Sequence, residues 1–151
     1  MADLRLGAPR DLPVLVTYWH AMLEECGLLG SGLVPGWQGR LEEQFAFDMQ
    51  AGSGSWFLAE EGGRVVGTCA VFRQMGRSQI LLDVTAMVAG MYVLPEFRGR
   101  GIARALMEWV VAWCREQGVK TIRLNASKAG RPLYESMGFV TATEMMRLEL
   151  R

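Results

Sequence analysis

The stretch Val93-Leu94-Pro95-Glu96-Phe97-Arg98-Gly99-Arg100-Gly101-Ile102-Ala103-Arg104 joins an apolar, strand-like run to a long amphipathic pattern. Pro95 ends the strand because it lacks a backbone donor, and Gly99 and Gly101 lack the Cβ that would keep a ligand from the backbone. The first N–H groups of the helix that follows have no partners within the helix, and the helix dipole favours negative charge there. The stretch therefore predicts a phosphate or pyrophosphate site at a helix start, with a plain strand–loop–helix turn as the alternative.

The segment after this loop carries the most regular helical pattern of the chain. Its apolar residues fall at offsets 0, 4, 7, 8 and 11 and are Ile102, Leu106, Trp109, Val110 and Trp113. Gly118 is well placed to end the helix, and residues 119–125 then alternate as a strand does. Strand, helix and strand over about residues 85–125 predict a βαβ crossover, which places the loop at the C-terminal end of a strand, where ligands of such sheets bind.

The remaining segments predict a mixed sheet with helices on its faces, in the order β-α-α-β-β-β-α-β-α-β. The predicted elements are a strand at 4–6, helices at about 10–26 and 37–51, a hairpin of 55–60 with 64–72, a strand within 80–93, a short helix at 132–137 and a final β segment or pair from Phe139 to Leu150. Ala89-Gly90 interrupts the strand before the loop, and a glycine there indicates either a bulge or a crowded core.

Composition places the 151 residues in one globular domain, because half of them are hydrophobic and about a fifth are charged. Lys plus Arg and Asp plus Glu both number 16, so net charge gives no general attraction to nucleic acid or to an anionic membrane. No apolar run is long enough to span a bilayer, and the first residues lack the apolar region of a signal peptide. We therefore expect a cytoplasmic protein.

Cysteine and histidine usage argues against metal chemistry. The cysteines Cys26, Cys69 and Cys114 are far apart and outside any CxxC pattern, which is typical of reduced, structural thiols. His20 is the only histidine, so a zinc site or a histidine-dependent triad would depend on that single residue. We expect no bound metal.

Two motifs resemble those of the GCN5-related N-acetyltransferase (GNAT) family. The family's acetyl-CoA-binding pattern Arg/Gln-x-x-Gly-x-Gly/Ala is met by Arg98, Gly101 and Ala103. Leu124-Asn125-Ala126-Ser127, followed by Leu133-Tyr134-Glu135-Ser136-Met137-Gly138-Phe139, is similar to the next block of the family. The resemblance implies an α/β (α+β) fold over residues 1–151: a mixed, mostly antiparallel sheet of six to seven strands, about four helices, and a central parallel strand pair that splays apart.

The resemblance also implies where acetyl-CoA, the co-substrate, would bind. The backbone of Arg98 to Arg104 would receive the pyrophosphate, and the strand before the loop would bind the pantetheine arm as another strand does. Lys128 and Arg131 are weaker candidates for the nucleotide's 3′-phosphate. The full expected set is Met91, Tyr92, Val93, Arg98, Gly99, Arg100, Gly101, Ile102, Ala103, Arg104, Asn125 and Tyr134.

For the chemistry, the resemblance assigns Tyr134 as the general acid. An amine attacks the thioester carbonyl and the CoA thiolate leaves; a phenol of pKa about 10 can protonate a thiolate of pKa about 8.5 with little mismatch. Backbone N–H groups at residues 89–91 could polarise the carbonyl. The alternative is a tyrosine packed in the core with its hydroxyl on a backbone carbonyl.

The implied function is acetyl transfer from acetyl-CoA to a primary amine of a small molecule or peptide, by direct attack in a ternary complex. One departure stands out: residues 85–91 offer no carboxylate as general base. Either Asp83, the nearest upstream, or a glutamate from another element acts through water, or the amine arrives neutral. Two rivals are an acyl-CoA-binding module with little turnover and an adaptor that uses the Gly/Arg loop on nucleic acid. Trp37, Phe45 and Met75 are candidates for an apolar acceptor pocket or for plain core residues, and a homodimer stays open.

Overall fold

Five strands and four helices make up the computed structural model, which describes residues 2–73, 84–142 and 144–150. Short 3-10 turns at Pro9–Asp11 and Pro95–Phe97 precede the first helix and the central loop. In chain order the elements are β1 (Asp3–Leu6), α1 (Leu12–Glu25), α2 (Trp37–Ala51), β2 (Gly54–Glu61), β3 (Arg64–Arg73), β4 (Val84–Val93), α3 (Ile102–Glu116), β5 (Val119–Leu124) and α4 (Arg131–Ser136).

The strands lie side by side in the order of the chain, β1-β2-β3-β4-β5. Neighbours are antiparallel from β1 to β4, and β4 and β5 run parallel. The hairpin prediction is confirmed: Glu61 pairs with Arg64 across Gly62 and Gly63, whose positive φ angles of 58° and 78° suit a tight turn. The mixed, mostly antiparallel sheet with one parallel pair is confirmed as well.

Among the described residues the number of strands differs from the prediction. The described residues form five strands instead of six to seven, because residues 139–142 and 144–150, expected to be a final β segment or pair, have no regular secondary structure. A strand needs a hydrogen-bonded neighbour, and in the described part of the chain β5 pairs with β4 alone.

Alternating side chains of β2 supply two separate cores, one on each face of the sheet. Phe57 and Ala59 pack with α3, whereas Trp56 and Leu58 pack with α1 and α2. The centre of the α3 side is an aromatic cluster in which Phe57 makes edge-to-face contacts with Trp109 and Trp113, at ring-centre distances of 4.8 and 5.3 Å. Such edge-to-face contacts add to the hydrophobic burial of each ring.

The junction between β1 and α1 is held by a buried charge. Both carboxylate oxygens of Asp11 accept hydrogen bonds from Arg5, at 2.9 and 2.8 Å, and one also accepts the Ala8 amide at 2.7 Å. Arg5 also donates to Glu60 of β2. The hydrogen bonds from Arg5 lower the pKa of Asp11.

The helices of the described residues are all too short or too polar to cross a membrane.

Candidate active site

A cleft opens where the parallel strands separate. Pairing of β4 with β5 ends at Val88 and Leu124, so the last five residues of β4 have no neighbour on that side among the described residues. The cleft has a volume of about 400 Å³. Its lining residues come from α1, the end of β4, the central loop, the start of α3 and the region around α4: Met22, Glu25, Cys26, Met91, Tyr92, Val93, Phe97, Arg98, Gly99, Gly101, Ile102, Ala103, Arg104, Ser127, Ala129, Gly130, Leu133 and Tyr134.

The first turn of α3 offers unpaired donors to this cleft. Gly101 is the N-cap residue with φ 80°, no side chain caps the helix, and the Ala105 amide makes the first bond, to the Gly101 carbonyl at 3.0 Å. The amides of residues 102–104 therefore have no acceptor within the helix. A Cβ at Gly99 or Gly101 would meet nothing within 4 Å, so a larger side chain there would project into open space.

The end of β4 is irregular, as the Ala89-Gly90 pattern indicated. Thr68 pairs with Tyr92 but Ala70 pairs with Ala89, so β4 carries one more residue than β3 between these pairs. Gly90 has a φ of 66°, and a Cβ there would lie 2.5 Å from the Trp19 ring. Both the bulge and the crowded core, left as alternatives, are present at this glycine.

Arg98 bridges three elements with its side chain. Its Nε donates to the Val93 carbonyl at 2.8 Å, and Nη2 donates to the Glu25 carboxylate of α1, also at 2.8 Å. The guanidinium lies over the Tyr92 ring, 5.5 Å from its centre. Arg98 thus joins the loop to the end of β4 and to α1, and these contacts use two of its five N–H donors.

The other two arginines of the loop have different surroundings. Arg100 lies over the Phe97 ring, at 5.0 Å from its centre, and is not among the residues that line the cleft. Arg104 lines it and donates to the Ser136 hydroxyl of α4 at 2.7 Å.

Tyr134 reaches the cleft from α4 and is only 8% exposed. Burial raises the pKa of its phenol to about 12. The Tyr18 hydroxyl donates to the Val65 carbonyl at 2.6 Å, whereas the Tyr134 hydroxyl makes no such bond in the described residues. The geometry therefore differs from the alternative of a core tyrosine tied to a backbone carbonyl. Gly130 packs closely on its ring, since a Cβ there would lie 2.9 Å from the ring edge.

Asn125 follows β5 and is exposed, outside the cleft lining. The corresponding wall is formed by Ser127, Ala129 and Gly130 instead. Lys128 and Arg131 are exposed, and Arg131 donates to the Thr141 hydroxyl at 3.0 Å.

Sequence reasoning missed the wall that the end of α1 contributes. Met22, Glu25 and Cys26 line the cleft across from the loop. Met22 lies within the helix predicted at about 10–26, but a contact between residues 25 and 98 has no local signal in the sequence.

Two predictions of side-chain chemistry fall on residues 74–83, outside the described part of the chain: Asp83 as a candidate base and Met75 as a pocket residue. Of the other pocket candidates, Phe45 is a core residue, 2% exposed and in contact with Trp19 and Trp56. Trp37 stacks on His20, with ring centres 4.7 Å apart.

Charged and thiol groups of the described residues form no cluster of three or more potential metal ligands. Cys69 and Cys114 are buried and form no disulfide, whereas Cys26 is exposed.

The fold is a mixed sheet with helices on both faces, and its parallel strand pair opens beside the N-terminus of α3. Comparisons with known proteins assign this fold to a family. A family model described as an acetyltransferase (GNAT) domain matches residues 52–141. The chain belongs to the GNAT family.

Among curated proteins, it is 37% identical over 93 residues to the probable N-acetyltransferase family 8 member 5 of Mus musculus. That alignment covers 57% of this chain and 38% of the mouse protein, so the chain spans well under half of the length of this relative.

Solved structures match over nearly the whole chain. A GCN5-related N-acetyltransferase from Ralstonia eutropha JMP134 has a TM-score of 0.84 at 27% identity, with 99% of each chain covered. A predicted acetyltransferase from Clostridium acetobutylicum, whose crystal structure includes acetyl-CoA, has a TM-score of 0.84 at 24% identity, with 99% of this chain and 96% of that chain covered. The similarity to the Clostridium protein, at 24% identity, supports the fold alone.

Proposed function

We propose that this chain is an acetyl-CoA-dependent N-acetyltransferase that acetylates a primary amine by direct attack in a ternary complex. The observation that carries the proposal is the composition of one cleft. Unpaired amides of a helix start, an unpaired strand edge and a buried phenol all line it. An anionic, extended thioester needs these three features together.

The residues present fit acetyl-CoA on physical grounds. The amides of residues 102–104 suit a pyrophosphate, and Gly99 and Gly101 leave space for its close approach. Charge-assisted hydrogen bonds contribute roughly 1.5–3 kcal/mol each, so three would supply much of the roughly 8 kcal/mol of a micromolar complex. Beside them, the edge of β4 after Val88 has no strand neighbour among the described residues and can receive the pantetheine arm, whereas the Val93 carbonyl on that edge is already bonded to Arg98.

Tyr134 is proposed to act on the departing sulfur. With its pKa near 12, full proton transfer to a thiolate of pKa about 8.5 would be uphill by roughly 5 kcal/mol. The difference between the pKa of this phenol and that of the thiol is therefore larger than the ordinary values of the two residue types suggested. Tyr134 therefore acts first as a hydrogen-bond donor that stabilises the developing negative charge, and the high pKa keeps its proton in place throughout the neutral range. Such a bond to a charged atom is worth roughly 1.5–3 kcal/mol.

For the general base that takes the proton of the acceptor amine, we make two alternative proposals. The described strand β4, Val84–Val93, contains no carboxylate, and the Glu25 carboxylate of the cleft is paired with Arg98. Either Asp83 takes the amine proton through water, or the acceptor arrives as a neutral amine and the proton that its nitrogen loses after the attack passes through water to the departing CoA thiolate. A kcat/KM that rises with pH up to the acceptor's own pKa supports the neutral amine.

The test is an acceptor screen with detection of the released CoA thiol. Polyamines, amino acids, aminoglycosides and peptide N-termini cover the main classes of primary amine. Thiol release that depends on one acceptor, with mass spectrometry showing the acetylated product, would support the proposal. Calorimetric binding of acetyl-CoA without release for any acceptor would favour an acyl-CoA-binding module instead.

A further inference from the structure

The parallel strand pair has an exposed face beside the point where the cleft closes. Pairing of β4 with β5 ends at Val88 and Leu124, and the preceding pair is Met87 with Arg123. Both Val88 and Leu124 contact the core beneath α3, so the alternation of side chains along a strand directs the preceding pair to the opposite face. This face, here called the open face, is formed by the two residue pairs that share this orientation: Thr85, Met87, Thr121 and Arg123.

The helices of the described part of the chain leave the open face uncovered. α1 packs on β3 and β4 and reaches β4 at Gly90, against the Trp19 ring, whereas α2 packs on β2. The helix that packs on β5 is α3, on the other face of the sheet. Met87 belongs to neither hydrophobic core, and Thr121 and Arg123 are exposed. A small molecule can therefore approach the strand pair from this side.

The open face is also the side from which an acceptor amine can reach the proposed thioester. With its pyrophosphate at the start of α3 and its arm along the edge of β4, acetyl-CoA would place its acetyl group where β4 and β5 converge, near the bulge at Ala89. The core beneath α3 fills one face of the sheet at that point, because Ala86 and Val88 are buried. The amine then has the open face for its approach.

The charge of the strand pair is positive. β5 carries two charged side chains, Lys120 and Arg123, and the described strand β4 carries none. Arg123 takes part in no ion pair among the described residues. A guanidinium presents its N–H donors in a planar fork that matches a carboxylate or a phosphate, whereas a polyamine would meet like charge here. Charge complementarity therefore favours an acceptor with an anionic group.

We propose, on the basis of the acetyl transfer proposed above, that the acceptor is a small primary amine that also carries a carboxylate or a phosphate, and that Arg123 binds this anionic group. Ala89 lies about 6.6 Å along β4 from Met87, and Arg123 lies about 4.8 Å across from Met87, so the Cα atoms of Ala89 and Arg123 are about 8 Å apart. An arginine side chain covers much of this distance, so a few bonds between the nitrogen and the anionic group suffice. The hydroxyls of Thr85 and Thr121 can donate further hydrogen bonds to it.

Matched acceptors separate the effect of charge from that of size. γ-Aminobutyrate, γ-aminobutyramide and putrescine have similar length and carry an anionic, a neutral and a cationic group opposite the amine. Phosphoethanolamine and ethanolamine form the corresponding pair for phosphate, so the two sets distinguish a carboxylate from a phosphate. We expect kcat/KM, measured by release of the CoA thiol, to be at least about tenfold higher for one of the two anionic acceptors than for its neutral counterpart.

Variants of Arg123 test the residue itself. Arg123→Gln should raise the KM for the anionic acceptor about tenfold with little change in kcat, because the substrate and the transition state share this contact. Arg123→Lys should restore part of the loss, and Arg123→Glu should reverse the preference in favour of putrescine. Arg115→Gln makes the same change of charge at an exposed residue of α3, on the other face, and should leave the KM within about twofold. Circular dichroism checks that each variant folds.

Calorimetric titration of γ-aminobutyrate and phosphoethanolamine in the presence of excess CoA separates this proposal from that of acetyl transfer. Binding that Arg123→Gln abolishes, without thiol release, would support the anion site and count against acetyl transfer. Equal kcat/KM for anionic and neutral acceptors, or equal effects of Arg123→Gln and Arg115→Gln on the KM, would overturn the anion site and leave acetyl transfer intact. The absence of both binding and thiol release with the anionic acceptors would overturn it as well.

Discussion

Arg98 and Arg100 are two residues apart in one loop, and their different contacts lead to a paired prediction. Arg98→Lys removes the bonds to Val93 and Glu25 at once, because an ammonium cannot reproduce the planar guanidinium fork. We expect the Kd for acetyl-CoA to rise about threefold to tenfold, roughly the loss of one net hydrogen bond. Arg100→Lys, outside the cleft lining, should change it less than twofold.

Calorimetric titration of acetyl-CoA into both variants measures the difference. Equal effects at the two positions would show that loop charge, and not the bridging contacts of Arg98, sets the affinity. Glu25→Gln should follow Arg98→Lys in direction, because it removes the acceptor of the same ion pair.

Tyr134→Phe removes the hydroxyl of a residue that lines the cleft and keeps the ring that packs on Gly130. The loss of one hydrogen bond to a charged sulfur, at about 1.5–3 kcal/mol, predicts a kcat lower by about 10- to 150-fold with little change in Kd for acetyl-CoA. Tyr18→Phe is the matched control, since it also deletes one phenol hydroxyl but one that bonds the Val65 carbonyl. It should lower the free energy of unfolding by about 1 kcal/mol and leave kcat nearly unchanged.

The pH dependence of kcat offers an independent check on Tyr134. Burial raises the pKa of this phenol to about 12, so the protonated, donating form persists well above pH 10. We therefore expect that ionisation of Tyr134 causes no fall in kcat below pH 10. The pH profile of Tyr134→Phe should have the same shape as that of the unmodified chain in this range. A fall near pH 9 that the variant abolishes would contradict the assignment of a high pKa to this group.

At the scale of elements, α3 provides a matched pair of glycines, one at each end. Gly101 and Gly118 have φ angles of 80° and 77°, and a Cβ at either would meet nothing within 4 Å. Valine at either position costs at least about 1–2 kcal/mol of stability from the left-handed backbone. Only Gly101→Val places its side chain in the cleft, where it should weaken acetyl-CoA binding by more than tenfold.

Calorimetry and denaturant unfolding separate the two effects. Gly118→Val should lose similar stability and bind acetyl-CoA with nearly the affinity of the unmodified chain. If both variants lost affinity equally, a general distortion of α3 would explain the result and the pyrophosphate assignment would be unsupported.

Local patterns predicted these elements well, and contacts between distant elements less well. The strand end, the glycine loop and the stripe of α3 were all evident because each depends on neighbours within one or two turns. The wall formed by Glu25 and the lack of regular secondary structure in residues 144–150 were not evident, because both depend on which distant surface a segment meets. Asn125 illustrates the limit: its place after a strand was predicted correctly, yet the residue lies outside the cleft lining.

At the scale of the whole molecule, acid stability should depend on Asp11. Its pKa is lowered by Arg5, so the folded state favours the ionised form; the stabilisation is present above the unfolded-state pKa near 3.8 and is lost as pH falls below it. Asp11→Asn should lower the free energy of unfolding by roughly 2–3 kcal/mol at pH 7.

Urea unfolding at pH 7 and at pH 3 measures this linkage. The difference in the free energy of unfolding between Asp11→Asn and the unmodified chain should shrink at the lower pH, since the aspartate of the unfolded chain is then largely protonated while the folded chain still favours the ionised form. A gap of constant size would mean that packing around the side chain, and not its charge, provides the stabilisation.

The distribution of the three thiols has a practical consequence. Cys69 and Cys114 are buried, and burial raises the pKa of Cys69 to about 12, whereas Cys26 is exposed at the rim of the cleft. Because only thiolates react readily, a maleimide dye should label the native chain at one position without any mutagenesis. The fluorescence of the attached dye would report occupancy of the cleft. Separately, the slowing of the labelling reaction by acetyl-CoA would give its Kd before any acceptor is known.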